Sequence, residues 1–210
     1  MALSFLNKRA QNEEMSFIDH LEELRWHIVR SLLAVIVAAI AIFIKMDWFF
    51  DTIILGPIRK DFVSYTGLCQ FSHWIGIGDS LCMPAVNVPL QATTFGSQFI
   101  SSITIAFVGG FILAFPYIFW EVWKFIKPAL TPRELKNTRG SILFVSFFFF
   151  TGAAFGYFLL APFTFSFLGN YHLGTTGILE TRPMLSDYID NLVDITIGSA
   201  LSFQLPVVAF

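Results

Sequence analysis

Side chains that could do acid–base, nucleophilic or metal chemistry are few in this sequence and widely spaced. The four histidines, His20, His27, His73 and His172, are scattered along the chain, and the sequence holds no H-E-x-x-H or G-x-S-x-G motif. A catalytic site needs a nucleophile, a base or a metal cluster that the fold brings together. Since no motif for such a site is present, we predict that the protein is not an enzyme.

The two cysteines are the clearest candidates for a covalent interaction. Cys69 and Cys82 are the only cysteines and lie 13 positions apart, in a segment that the charge distribution places on the oxidising side of a membrane. A disulfide closing a loop of this size contributes about 3 kcal/mol in the chain-entropy model. A structural zinc site needs four ligands, and His73 is the sole further candidate nearby. The spacing therefore favours a disulfide, without a metal or another cofactor.

The composition identifies the environment of the chain. Of its 210 residues, 55% are apolar, only 13% are charged and 26 are Phe, with a mean hydropathy of +0.68. Soluble domains carry about 25% charged residues, so a soluble domain is excluded. A net charge of −2 leaves no basic surface for nucleic acid. We therefore predict a membrane protein that does not bind nucleic acid.

Stretches without charged residues locate the membrane spans, because an apolar helix of about 20 residues crosses the bilayer. The first predicted span covers about 26–44, with the Arg30 head group reaching the interface. The second covers about 98–119. The third covers about 141–168 and should kink at Pro162, since proline removes a helical hydrogen bond.

A fourth apolar run, 195–210, lasts to the end of the sequence. A span that begins near Tyr188 would be only just complete there, so we expect three spans and most of a fourth, with the chain cut inside the fourth. A short re-entrant or interfacial helix is the alternative for this run. The predicted fold class is thus all-α, a polytopic membrane helix bundle that forms one domain over 1–210.

The distribution of Lys and Arg predicts the orientation of the bundle. Nine of the 13 precede or enter the first span or lie between the second and third, and four lie in the other two connections. Positive residues concentrate on the cytoplasmic side. The N-terminus and the loop 121–140 are therefore predicted to be cytoplasmic, and the segments 45–97 and 169–187 extracytoplasmic.

The segment 15–30 has the pattern of an amphipathic helix. Apolar residues recur at spacings of three and four from Phe17 to Ile28, and Ser16 with Asp19 resembles a capping pair. We predict a helix at the cytoplasmic interface that leads into the first span. On this pattern alone, Glu22 and Arg25 form an ion pair on its solvated face.

Two further polar features have open interpretations. In the inner loop, Thr131 and Pro132 are typical of a helix start, so Glu134 completes a capping box by its position alone. In the fourth apolar run, Gln204 precedes Pro206. A polar side chain at this depth either bonds to a neighbouring helix or belongs to a functional polar patch.

Four stretches of the sequence together resemble the TatC family, the core subunit of the twin-arginine protein translocase. They occur in the order and at the topological places that the family shows. The stretches are FIDHLEELR at 17–25, FPYIFWEVWKFIKPAL at 115–130 followed by Glu134, GAAFGYFLLAP at 152–162, and SFQLP at 202–206. The resemblance implies a six-span fold, and the family often has Glu at the position of Gln204.

The resemblance also implies a binding site for signal peptides with paired arginines. The family's signal-binding carboxylates correspond to Glu23 and Glu134, both on the predicted cytoplasmic side. Arg25 would orient the helix that carries Glu23, and Phe125 with Lys127 falls in the loop segment at the signal site. A carboxylate binds a guanidinium through two parallel hydrogen bonds, which an ammonium group cannot form. Two carboxylates at a fixed separation would thus distinguish arginine from lysine.

Further implications concern partners and scaffold. The resemblance implies single-span partners of the TatA and TatB type, a homo-oligomer within the complex, the bacterial inner membrane as location and the proton-motive force as energy source. Pro57 and Pro116 match family prolines that are structural. The alternatives are a secondary transporter of a small solute, which would favour a charged midplane site and inverted repeats, and a membrane-embedded enzyme.

Overall fold

The computed structural model describes residues 2–59, 61–76, 78–82, 90–127, 140–171 and 182–206. Within these ranges the chain is helical and contains no β-strand, apart from an isolated parallel bridge between Gln91 and Met184. The helices are α1 Ala2–Ile44, α2 Met46–Phe49, α3 Val63–Ile75, α4 Ser97–Ile126, α5 Ser141–Phe155, α6 Ala161–Asn170 and α7 Leu185–Ser202. The predicted all-α fold is confirmed.

The first span is part of a longer helix than the sequence analysis predicted. Helix α1 has neither Gly nor Pro between Ala2 and Ile44, so nothing in its sequence interrupts the backbone hydrogen bonds. The prediction that Ser16 caps a separate helix is wrong, because α1 passes through Ser16. The part of α1 that is long and apolar enough to cross a membrane is Glu22–Ile44.

The second span extends beyond its predicted end. Helix α4 continues to Ile126, so the first six residues of the predicted loop 121–140 are helical. A charged residue at position 121 does not end the helix, and the first strong helix breaker after it is Pro128. Pro116 lies inside α4, which continues on both sides of it.

The third span contains the irregularity predicted at Pro162, in the form of a π-helical segment. Helix α5 passes into this segment at Gly156–Leu160, and α6 begins at Ala161 with Pro162 in its first turn. Because proline cannot donate to the preceding turn, the backbone changes its hydrogen-bond register just before it. The range Ile142–Asn170 remains long and apolar enough to cross a membrane.

Helix α7 differs from the predicted fourth span. It begins at Leu185, close to the predicted start, but a turn at Phe203 and Gln204 interrupts the apolar run 195–210. Three aspartates among its eighteen residues make α7 less apolar than the three candidate spans. Residues 207–210 lie outside the described residues.

Small residues let the long helices pack closely. A Cβ atom on Gly110 of α4 would lie 2.8 Å from the Ala39 backbone nitrogen and 2.9 Å from the Val35 carbonyl oxygen of α1. Gly152, on α5, approaches the backbone of α7 just as closely, and Gly156 lies against the same helix. The two glycines are spaced as in the G-x-x-x-G motif of membrane helix pairs. Glycine thus sets the spacing of both helix pairs.

Three tyrosine hydroxyls hold the segment between α2 and α3, which consists of a π-helical turn at Phe50–Ile54 and a 3₁₀ turn at Gly56–Ile58. Tyr157 donates to the Ile53 carbonyl at 2.5 Å, Tyr188 to Ile54 at 2.6 Å and Tyr65 to Pro57 at 2.7 Å. These carbonyls lie in irregular backbone, where buried acceptors need partners from elsewhere. The core beneath this segment is formed by Ile54, Ile105, Ala161, Phe165, Tyr188, Ile189 and Leu192.

Candidate functional site

A buried carboxylate joins α4 to α1 near one end of the bundle. Glu121 is only 1% exposed. Its Oε2 lies 2.5 Å from Nδ1 of His27 on α1, and its Oε1 lies 3.6 Å from Nζ of Lys124. A buried carboxylate without partners is strongly destabilising. These partners and the Tyr117 hydroxyl, which also hydrogen-bonds to Glu121, allow the carboxylate to remain inside, and the His27 contact fixes one helix against the other.

Aromatic rings surround His27, Glu121 and Lys124. The His27 ring makes an edge contact with Phe125, with 6.3 Å between the ring centroids. The Lys124 ammonium lies 3.6 Å from the centre of the Trp120 ring, a cation–π geometry. Since an ionised carboxylate only accepts hydrogen bonds, the Nδ1 atom of His27 carries the proton of the 2.5 Å contact.

The predicted binding residues of α1 lie beside this pair. Glu23 and Arg25 are exposed, and Glu23 precedes His27 by four residues, about one helical turn on the same face. On α4, Phe125 follows Glu121 by one turn and is half-buried. The pair between His27 and Glu121 thus sets the register of Glu23 relative to Phe125.

Two other predicted residues belong to the chain beyond α4. Lys127 is exposed and directly follows the last residue of the helix. Glu134 lies outside the described residues. The structure therefore brings Glu23 and Phe125 to the same end of the α1–α4 pair, and it describes one of the two predicted carboxylates.

An apolar groove begins at this site and runs between α1 and α4. Its volume is about 340 Å³. Its α1 wall runs from Leu24 to Val35, and the eleven helical steps between these two residues correspond to about 16 Å. The groove is lined by Leu24, His27, Ile28, Ser31, Leu32, Val35, Phe107, Phe111, Ile118, Val122 and Phe125. Such a surface can hold an apolar segment next to an exposed carboxylate.

The remaining predicted residues lie elsewhere in the molecule. Gln204 donates from Nε2 to the Val145 carbonyl of α5 at 3.2 Å, a contact between helices. Pro57 is buried in the 3₁₀ turn that follows α2. Cys69 and Cys82 are joined by a disulfide with 4.4 Å between their Cα atoms. None of these residues lines the groove between α1 and α4.

The sequence analysis missed both His27 and Glu121. It placed Glu121 in a loop because a charge interrupts the apolar run there. The available signal was the context of Glu121, which stands among aromatic residues from Phe119 to Trp123 without Gly or Pro before position 128. A charged residue within a continuing helix needs a partner at the same depth, and His27 is a candidate one turn after Glu23.

Comparison with known proteins identifies the family of this chain. The family model described as Sec-independent protein translocase protein (TatC) matches residues 19–210. The chain belongs to the TatC family. The resemblance inferred from the four sequence stretches is thereby confirmed, and the protein is a membrane component of Sec-independent protein translocation.

Individual relatives support this membership. The TatC protein of a Blattabacterium from Periplaneta americana is 37% identical over 206 residues, which cover 94% of this chain and 74% of the relative. The TatC protein of Deinococcus radiodurans is 29% identical, over 91% of this chain and 62% of its own length. The chain therefore spans between three fifths and three quarters of these two relatives.

Solved structures match the fold as well. A crystal structure described as the twin-arginine translocase receptor TatC superposes with a TM-score of 0.66 at 28% identity, covering 90% of this chain and 72% of that chain. A second crystal structure of the receptor, in the detergent DDM, gives a TM-score of 0.67 at 26% identity. The packing of the TatC helices therefore corresponds to that of solved members of the family.

Proposed function

We propose that this TatC protein is the receptor subunit that binds twin-arginine signal peptides of folded proteins at the cytoplasmic end of α1 and α4. One observation carries the proposal. Glu23 is exposed one turn from a buried pair that locks α1 to α4, at the mouth of an apolar groove. A solved relative at 28% identity is described as a twin-arginine translocase receptor.

The proposed recognition depends on the geometry of carboxylates. Glu23 supplies one planar acceptor for a guanidinium, and Glu134 supplies the second. Each carboxylate can accept two parallel N–H···O bonds from arginine, whereas lysine offers a point charge. Arg25 lies on the same exposed turn of α1 as Glu23 and keeps this turn from becoming uniformly acidic. Phe125 and Lys127 border the site from the end of α4.

The apolar part of a signal peptide would occupy the groove between α1 and α4. The groove is lined almost entirely by apolar side chains and extends about 16 Å along α1 from the turn next to Glu23. A peptide whose arginines bind Glu23 would therefore place its following apolar residues against Ile28, Leu32 and Phe107. The His27–Glu121 pair holds the two walls of this groove together.

The orientation and partners follow from the same proposal. The N-terminus and the connection after α4 lie in the cytoplasm of a bacterial cell whose inner membrane the protein crosses, as the excess of Lys and Arg there supports. TatA-type and TatB-type single-span proteins join it in an oligomeric complex driven by the proton-motive force. The segment 45–97 then faces outward, and the cytoplasmic connection covers 127–140.

The test compares two signal peptides on the full-length protein in detergent. One labelled peptide carries the paired arginines, and the other has lysines in their place. We expect the arginine peptide to bind at least about tenfold more tightly, which corresponds to about 1.4 kcal/mol. Glu23→Gln and Glu134→Gln should each remove this preference. Glu22→Gln, at an adjacent exposed carboxylate, is the matched control and should retain it.

A secondary transporter of a small solute is the second candidate. The observation in its favour is a cavity of about 730 Å³ at the opposite end of the bundle, with Asp47, Asp51 and Gln98 in its lining. Equal binding of the two peptides, unaffected by Glu23→Gln, would contradict the receptor proposal. Solute uptake by vesicles containing the protein, lost in Asp51→Asn, would then support the transporter.

A further inference from the structure

Four potential metal ligands meet in the hairpin formed by α3 and the 3₁₀ turn at Gly78–Leu81. They are Cys69, His73, Asp79 and Cys82, and their ligand atoms all lie within 4.8 Å of one another. Nε2 of His73 is 3.2 Å from Oδ1 of Asp79, and Sγ of Cys82 is 3.8 Å from the same oxygen. A metal site was not expected from the sequence, because His73 was the sole further ligand considered near the cysteines, whereas the fold also brings Asp79 to them.

The backbone places these side chains together. Cys69 and His73 are four residues apart on α3 and share a face of the helix. Helix α3 ends at Ile75 and is followed by Gly76, which has a φ of 80°, and Gly78 has a φ of 68°, so the chain reverses with the help of two left-handed glycines. The Ser72 hydroxyl donates to the Gly78 carbonyl across the hairpin. The reversal thus has support that does not depend on the disulfide.

We propose that this hairpin is a redox-gated zinc site. In the oxidised state the Cys69–Cys82 disulfide closes the hairpin. In the reduced state the two thiolates, Nε2 of His73 and a carboxylate oxygen of Asp79 bind one Zn²⁺. The two states exclude each other, because a sulfur in the disulfide is not a thiolate ligand. This proposal is independent of the proposed signal-peptide site.

The exchange between the states balances in atoms and electrons. A dithiol reduces the disulfide by thiol–disulfide exchange, giving two protein thiols while the dithiol becomes a disulfide. Zn²⁺ then binds as both thiols release their protons to solvent. In the reverse direction, the two thiolates give two electrons to a disulfide reagent and form the protein disulfide, the reagent takes two protons from solvent and becomes a dithiol, and the zinc ion is released.

The geometry suits tetrahedral zinc. Zn–S bonds of about 2.3 Å and Zn–N or Zn–O bonds of about 2.0 Å place neighbouring ligand atoms about 3.3 to 3.8 Å apart. The His73–Asp79 and Cys82–Asp79 distances are close to these separations. The two sulfurs must move apart for zinc to bind, and breaking their bond allows that movement. Thiolate and imidazole ligands favour zinc over magnesium or calcium.

The site is also open to an incoming ion. The side chains of His73 and Asp79 are 58% and 85% exposed, and both cysteines are half-buried. The ion can therefore enter from solvent without opening the hairpin. Either the disulfide or the metal would close this outer hairpin, so it would remain folded in both redox states.

The experiment titrates Co²⁺, a spectroscopic substitute for Zn²⁺, into the full chain in detergent under anaerobic conditions. We expect protein reduced by a phosphine to bind one Co²⁺, with a thiolate-to-cobalt charge-transfer band and the visible bands of tetrahedral coordination. Zn²⁺ should displace the cobalt and remove both signals. Protein with its disulfide intact should show neither signal. Absence of the charge-transfer band in the reduced protein would overturn the proposal.

Variants test the ligand set. His73→Gln and Asp79→Asn should each weaken Co²⁺ binding by about tenfold or more, since each removes one ligand. Asp61→Asn changes an exposed aspartate outside the cluster and should bind like the unmodified chain. The oxidised form of each variant shows whether the hairpin still folds, because the disulfide needs neither ligand. If both ligand variants bind Co²⁺ as tightly as Asp61→Asn, the four-ligand site is wrong.

Discussion

Glu121 on α4 and His27 on α1 share a hydrogen bond, which makes the energetic contribution of each side chain depend on the presence of the other. Glu121 is buried, and the His27 ring is also largely shielded from solvent, with 11% of its side chain exposed. A charge-assisted hydrogen bond between two shielded groups contributes more than one at the surface. Removing one partner leaves the other buried without its main contact, so the folded protein should become less stable.

We predict that His27→Ala destabilises the protein by about 1 to 3 kcal/mol, because the buried Glu121 carboxylate loses its 2.5 Å hydrogen bond to another helix and keeps only Lys124 and Tyr117, which lie on its own helix. The double variant His27→Ala, Glu121→Leu should lose less than the sum of the two single losses. Thermal unfolding in detergent measures both. Glu22→Ala is the control, since Glu22 is exposed on the same helix. A His27→Ala loss equal to that of the control would contradict the prediction.

Tyr65 is a second residue whose side chain has a defined structural role. Its hydroxyl donates to the Pro57 carbonyl at 2.7 Å, and burial raises the pKa of Tyr65 above its usual value near 10. Tyr65→Phe should cost about 1 kcal/mol at neutral pH. A folded pKa above the unfolded one means that the stabilisation is complete below pH 10 and declines as the pH rises further.

The measurement for Tyr65 is the melting temperature of both proteins from pH 7 to pH 11. We expect the difference between the unmodified chain and Tyr65→Phe to be constant up to about pH 9.5 and to shrink above it. Tyr171→Phe is the control, because Tyr171 is exposed at the end of α6. A difference that grows with pH would show the opposite sign and refute the assignment.

Among the elements, what the sequence predicts well depends on hydropathy and what it misses depends on packing. The apolar stretches predicted all three candidate spans, since a bilayer requires a long apolar helix. The predicted end of α4 was wrong because the buried Glu121 carboxylate has a hydrogen-bond partner 94 positions away, which no local pattern reveals. The turn at Gln204 was missed for a similar reason, since its side chain bonds to α5.

The same distinction between local pattern and packing applies to the candidate functional site. The binding roles proposed for Glu23 and Arg25 come from the resemblance of one helical stretch to the TatC family, and the structure shows both residues exposed on that helix. The groove beside them needs α1 and α4 together, so it could be located only in the structure. The same applies to Asp79, which joins Cys69 and Cys82 only because two glycines reverse the chain.

The close crossing of α1 and α4 depends on the absence of a side chain at Gly110. Gly110→Ala places a Cβ atom 2.8 to 3.0 Å from backbone atoms of Ala39 and Val35, which cannot rotate away. We expect a loss of about 1 to 3 kcal/mol from overpacking, together with weaker signal-peptide binding as the groove walls separate. The control is Gly67→Ala in α3, where nothing lies within 4 Å of the added atom.

Gly67→Ala should be neutral or stabilising, because alanine favours a helix interior over glycine by about 0.5 to 1 kcal/mol. Thermal unfolding and peptide binding, measured on both variants, separate a packing effect from a general effect of added volume. If Gly110→Ala unfolds at the same temperature as the unmodified chain, the close crossing of α1 and α4 is not what holds the pair together.

At the scale of the whole molecule, the two ends of the bundle have different tasks. The end near Glu23 carries the exposed carboxylate, the buried pair and the mouth of the groove. The other end carries the disulfide hairpin and the three tyrosine contacts to the segment between α2 and α3. The proposed signal-peptide site would need to face the cytoplasm, where folded cargo is made, whereas the disulfide needs an oxidising compartment. One orientation satisfies both requirements.

This orientation is testable with cysteines introduced one at a time into a chain that carries Cys69→Ser and Cys82→Ser. We predict that Thr66→Cys, exposed on α3, reacts in intact cells with a thiol reagent that cannot cross the inner membrane. Glu22→Cys, exposed on α1, should react only after the membrane is permeabilised. The physical reason for this orientation is the distribution of positive charge: nine of the 13 Lys and Arg residues lie on the same side as Glu22, and positive residues concentrate on the cytoplasmic side. The opposite labelling pattern would place Glu23 outside, away from any cytoplasmic signal peptide, and the receptor proposal would fail with it.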